Sequence, residues 1–203
     1  MSAHRVFFHP FPQANCLTIK NQDKTVTFDV DPVLSWHHST RASIFYSEDS
    51  ESRLGEAWAI LGQDLAESVI YVIGQCGKGF ADLHSLDMQK KISHQSLVEL
   101  LQQVIPDDFA GKLKVFACHS GSDSGSAISF TVQLAAFIGL MQLWPGTRVY
   151  GYTELVSPVA MEDSLRDLDK FYSGDDPHKK ADQHRIAVGT GKRAREYQII
   201  TKV

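Results

Sequence analysis

Two short stretches carry side chains that can do chemistry together: Gly74-Gln-Cys-Gly-Lys-Gly79 and Cys118-His-Ser-Gly121. The second places a thiol, an imidazole and a hydroxyl in succession, and Ser122-Asp-Ser-Gly-Ser126 follows it. A thiol becomes a nucleophile when a nearby base or positive site draws off its proton. Its attack on a carbonyl then needs donors, often backbone N–H groups, for the developing oxyanion. The N–H groups of Gly77 and Cys118 are the candidates for that role. The same residues also fit plainer roles: glycines as turn formers, and either cysteine as a packed core thiol.

Each stretch follows an apolar run. Residues 68–74 read as a strand buried on both faces, and residues 113–117 as a short buried strand that stops at Cys118. Both loops then open at the carboxyl ends of strands, where open α/β sheets bind their ligands. A helix expected over about 127–144, apolar nearly all round and so deeply packed, would turn its N-terminal N–H groups towards the thiol loop. An amphipathic helix is expected over 93–105, with a loop through His84 and Asp87 before it, and a third strand over 147–153. Strand and helix thus alternate from Ser68 to Thr153, which predicts a mostly parallel sheet with helices on its faces.

The flanks read as β-rich. Upstream are a run over 5–8, a hairpin of 16–19 with 25–30, and a strand over 43–46. A helix capped near Ser47–Glu51 follows, with Leu54, Trp58, Ile60, Leu61 and Leu65 on its apolar face. Downstream are a charged helix over 161–172 and a closing hairpin of 185–188 with 196–202. No linker, repeat or low-complexity tract divides the chain, so residues 1–203 are expected to form one domain.

Composition narrows the function classes. The chain is 43% hydrophobic and 22% charged, which suits a globular protein with a real core. A net charge of -4 argues against a nucleic-acid partner. No apolar run reaches the roughly 18 residues of a membrane span. The start, Met1-Ser-Ala-His-Arg5, lacks the apolar core of a secretory signal. The expectation is a cytoplasmic protein, or one secreted by a route independent of such a signal. Three cysteines, Cys16, Cys76 and Cys118, fit reduced thiols better than a disulfide framework.

Taken together, the two strand–loop units resemble the caspase–hemoglobinase fold of cysteine peptidases (clan CD). They are most similar to the self-processing cysteine protease domains of large bacterial toxins. The resemblance covers residues 68–154 clearly and the terminal hairpins loosely. It implies a three-layer α/β fold, a peptide or protein substrate, and a role as a toxin or secreted effector. It also implies that Cys118 is the nucleophile and that the general base stands where this chain has Gln75, in place of a His-Gly pair. Glutamine cannot take a proton at neutral pH, so the family's dyad is incomplete as written. The caspase signature Gln-Ala-Cys-x-Gly is absent too.

Another histidine is therefore needed as base. His119, His84 and His94 are the candidates, and His84 is preferred because it is expected in a loop and not on a helix. Three readings follow. One is a cysteine-peptidase-like hydrolase with a relocated base. The second is an inactive module that binds a peptide in the same cleft, and the third an acyl-transfer or deamidating thiol enzyme. None requires a cofactor. His37-His38 has no further ligand at metal spacing, and Gly189-Thr-Gly-Lys192 matches only part of a phosphate loop. The C-terminal quarter is locally basic, with Lys179, Lys180, Lys192 and Arg193. Such a charge run fits a solvated face; the resembling toxin domains are activated by inositol hexakisphosphate held in a basic pocket, so the resemblance implies an inositol polyphosphate as the alternative, an activator.

Overall fold

The computed structural model describes residues 5–12, 18–21, 24–27, 42–154, 156–157, 172–173 and 185–189. Its strands are, in chain order, β1 Arg5–His9, β2 Thr18–Asn21, β3 Lys24–Thr27, β4 Ala42–Tyr46, β5 Val69–Ile73 and β6 Asp82–His84. They continue with β7 Lys91–Ser93, β8 Lys112–Phe116, β9 Arg148–Tyr152, β10 Val156–Ser157, β11 Tyr172–Ser173 and β12 Arg185–Gly189. The described helices are α1 Glu51–Leu61, α2 His94–Leu101 and α3 Phe130–Leu140.

The two apolar runs beside the chemistry form the middle of the sheet. β5 is buried along its whole length, and it lies parallel to β8 with Val69 opposite Lys112 and Ile73 opposite Phe116. The six-stranded sheet runs β12-β9-β8-β5-β1-β4. All its neighbours are parallel except β12, which pairs antiparallel with β9 at one edge. The protein is thus a mixed α/β fold on a mostly parallel sheet, as the alternation of elements requires.

Period-two alternation divides the sheet into two faces. Val6, Phe8, Ile70, Val72, Leu113 and Val149 share one core with Leu54 and Leu61 of α1, Leu97 and Leu101 of α2, and Phe130 and Leu134 of α3. Each such side chain contributes roughly 2 kcal/mol relative to full exposure. The other face carries a row of rings: Phe7 stacks on Tyr71 at 5.0 Å, Tyr71 meets Phe116 edge-on, and Phe116 meets Tyr152 edge-on. The described helices all lie on the first face for a topological reason. The connections β4 to β5, β5 to β8 and β8 to β9 step the same way across the sheet, and right-handed crossovers then share a side. The connection from β1 to β4 steps the other way. The reversal falls between β1 and β5, and such a switch point opens a crevice at the strand ends.

Several expectations shift. Trp58 is 47% exposed, because α1 ends at Leu61 and buries Leu54, Ala57 and Leu61, which are spaced for one stripe; Leu65 lies beyond the helix. The helix expected from 127 begins instead at Phe130, since Ser124 and Ala127 exchange both backbone hydrogen bonds in a tight turn before it. It is not buried all round, since Leu140 is 77% exposed; Ile128, in the turn before it, is 53% exposed. The expected N-terminal hairpin is present as β2 paired with β3. β12 joins the central sheet through β9, and its expected hairpin partner over 196–202 lies outside the described residues. So does the helix expected over 161–172, except that Tyr172 pairs in β11 with Ser157 instead. The expectation of a second helical layer also falls outside them. Among the described residues no helix is long and apolar enough to cross a membrane.

Candidate functional site

Cys118 stands just past the carboxyl end of β8, and the loop from Gly74 stands just past the end of its neighbour β5. The two loops touch. Gly79 N–H donates to Ser122 O at 2.9 Å, so the strand-end segments on either side of the thiol share a backbone hydrogen bond. The thiol loop is itself braced from below. Ser120 is fully buried, its hydroxyl donates to Val115 O at 3.0 Å, and it accepts from Tyr152 N–H at 3.1 Å. One serine thereby ties β8 and β9 together beneath the half-buried Cys118.

The β5 loop holds an element that the sequence did not reveal. Residues 82–93, expected as a loop through His84, contain the hairpin of β6 and β7. Leu83 is fully buried and anchors the hairpin in the core. The hairpin also pairs with the β5 loop: Gln75 N–H donates to His84 O and His84 N–H donates to Gln75 O, both at 2.8 Å. Gly74 permits this approach, because a Cβ there would stand 2.8 Å from His84 O and from the Leu83 side chain. A directly hydrogen-bonded antiparallel pair carries both side chains on one side, with Cβ atoms about 5 Å apart. His84 is therefore the cross-strand neighbour of Gln75.

The open side of the hairpin is charged. Lys91 stands opposite His84, and its Nζ lies 2.9 Å from Asp82 Oδ2. Burial lowers the pKa of His84 from the usual histidine value; Asp82 pulls it up and Lys91 pushes it down. A lowered value keeps the imidazole neutral near pH 7, the state in which it can accept a proton.

The other candidates make contacts of their own. His119 has φ 53°, and its Nδ1 lies 3.0 Å from Thr153 O. A carbonyl only accepts, so Nδ1 carries the proton and the ring is held towards the end of β9. His94 begins α2, packs edge-on against Phe137 of α3, and is held below the usual histidine pKa by burial, which Asp82 partly opposes. It is a packing residue between helices. The N-terminus of α3 is also in use: Asp123 Oδ1 accepts from Ser129 N–H at 2.7 Å, and Ser120 O accepts from Thr131 N–H. The expectation that this helix end serves the thiol is replaced by a protein carboxylate in that place.

Cys76 belongs to the core. It is 9% exposed, and its thiol lies 3.6 Å from Gly77 O and 3.9 Å from Asp82 O. Burial pushes its pKa up to about 12; a backbone hydrogen bond from Gly77 works against that, and the charge of Cys118 adds to it. The two thiols are thus close enough to interact, yet only Cys118 is open to a reactant. Cys16, His37 and His38 lie outside the described residues, as do Lys179, Lys180, Lys192 and Arg193. Among the described residues no group of three or more His, Cys, Asp or Glu is placed to hold a metal ion.

Sequence comparison adds little to this geometry: no family model matches the chain, and no curated protein matches it. Among solved structures it is similar to one described as "structure of pro-sf-caspase-1", at 11% identity and a TM-score of 0.33. The alignment covers 74% of this chain and spans 60% of the length of that one.

Proposed function

We propose that the chain is a cysteine-peptidase-like hydrolase in which Cys118 is the nucleophile and His84 the relocated base. The observation that carries this reading is the paired bridge between Gln75 and His84 at the strand end beside Cys118. In the proposed cycle His84 takes the Cys118 proton and the thiolate adds to a peptide carbonyl. The N–H groups of Gly77 and Cys118 stabilise the oxyanion. Collapse breaks the C–N bond, protonated His84 returns its proton to the departing amine, and water hydrolyses the thioester. A peptide-binding module without catalysis is the second reading, favoured by one specific residue, Gln75 at the family's base position.

A brief, limiting pulse of iodoacetamide tests the assignment. At pH 8 a thiol with the value of Cys76 is ionised to only about one part in 10⁴, and Cys76 is buried besides. Mass spectrometry should find Cys118 carboxamidomethylated well before Cys76 or Cys16. Preferential labelling of either other cysteine would remove Cys118 from the role.

We further propose a polyanion site in the basic segment of Lys179, Lys180, Lys192 and Arg193, supported by the clustering of cations in a chain of net charge -4. Inositol hexakisphosphate should raise the melting temperature, since a ligand of the native state stabilises it by about 2.7 kcal/mol at a hundredfold excess over Kd. An unchanged melting temperature at large excess and moderate salt counts against the site.

A further inference from the structure

One large apolar side chain near the strand ends is out of place by its exposure: Phe80, 39% exposed in the turn that follows the β5 loop. A single exposed ring needs no explanation by itself. What distinguishes Phe80 is what its buried side touches. The ring centroid lies 5.4 Å from that of His84, with the planes tilted by 60°. Three of its carbons lie 2.5, 2.7 and 2.9 Å from where a Cβ on Gly77 would stand, so the ring rests on the Gly77 backbone, which only glycine leaves open. Phe80 N–H donates to Gly77 O at 3.1 Å, closing the turn, and the preceding residue Gly79 is bonded to the thiol loop through Ser122 O.

One ring therefore contacts both the assigned base and the assigned oxyanion donor. We infer that Phe80 is a positioning residue: its ring holds the His84 imidazole against the Gly77 turn, so that base and oxyanion donor keep a fixed spacing. This rests on the assignment of His84 as base. The physical effect is twofold. The ring limits the rotation of the imidazole, and it excludes water from one side of it. The charged groups that act on His84 are Asp82 from its own strand and Lys91 from β7, while its partner Gln75 is neutral. None of these is altered by changing Phe80.

The test combines two readouts on the whole chain. Carbon-13 labelled histidines report the titration midpoint of His84 by NMR. The rate of Cys118 alkylation by iodoacetamide across pH reports its action as base. Phe80→Ala should raise the His84 midpoint by about half a pH unit as water reaches the ring. It should also slow alkylation at pH 7 by about tenfold, part of the effect of losing the base. Phe80→Tyr keeps the ring and should restore both readouts. Phe80→Leu keeps apolar bulk without the ring, so it should leave the midpoint near the wild-type value yet slow alkylation like Phe80→Ala; its alkylation rate serves as the test if the alanine protein does not fold. If His84→Ala slows alkylation while neither Phe80→Ala nor Phe80→Leu moves midpoint or rate, Phe80 has no positioning role and the base assignment stands. If His84→Ala alkylates like the wild type, both fall together.

Discussion

Replacing His84 by alanine is expected to slow reaction of Cys118 with a thiol-directed peptide probe by about 10²-fold or more at pH 7, the usual range for loss of a general base. Cys118→Ala should abolish labelling at that site and any self-cleavage. The Gln75 amide cannot accept a proton. Its cross-strand partner His84 can, and burial keeps that imidazole neutral at the working pH. The two positions face the same way, so they should be interchangeable in part. Gln75→His should add little while His84 is present. In the His84→Ala background the same change should recover about tenfold, as expected of a base restored in imperfect geometry. The opposite pattern would be wild type and Cys118→Ala indistinguishable in every assay, with Gln75→His alone gaining reactivity. That outcome establishes the peptide-binding module instead.

The second large effect concerns stability in acid. His9 ends β1 beside the switch point, is 4% exposed, and stacks on Tyr46 with centroids 5.1 Å apart. Among the described residues its Nδ1 has no hydrogen-bond partner. Burial lowers its pKa from 6.5 to about 4. The folded value lies below the unfolded one, so between the two the unfolded chain binds the proton more readily. Stability from this group is complete above about pH 6.5 and is lost as pH falls towards about 4. A gap of about 2.5 corresponds to about 3 kcal/mol, most of it gone by pH 4.5. Urea unfolding of wild type and His9→Phe at pH 7 and 4.5 isolates the contribution. The phenylalanine variant keeps the stack on Tyr46, and it should lose less stability than wild type by about 2.5 kcal/mol over that range. Equal losses would show that His9 is not the proton acceptor.

The fold is legible where a physical signal in the sequence is dense. The apolar run of β5 and the run ending before Cys118 mark two buried parallel strands, and the strand–helix alternation sets them side by side. Where the signal is short, the fold is not legible. β6 and β7 are each a triplet, too brief for alternation to stand out from loop composition, and their register depends on Gly74 leaving room for Leu83 and His84 O. The sequence presents His84 as a loop residue, whereas it ends β6 and is the strand partner of Gln75. Trp58 follows Leu54 by four residues, a spacing that fits one apolar face, yet Leu54, Ala57 and Leu61 form a complete buried stripe without it. His9 carried no mark at all: only the stacking of β1 between β4 and β5 makes a polar residue there a buried one.

The hydrogen bond from Gly79 to Ser122 has a thermodynamic consequence. Two loops that share a backbone bond do not open independently, since freeing either one leaves an amide or a carbonyl without its partner. Order is then a joint property of the pair. Any ligand that settles the β5 loop also settles the thiol loop, and by linkage anything that holds the thiol loop closed improves the fit for that ligand by the same factor. The exchange rate of the Gly79 amide proton with deuterium is thus a single reporter for the state of both loops.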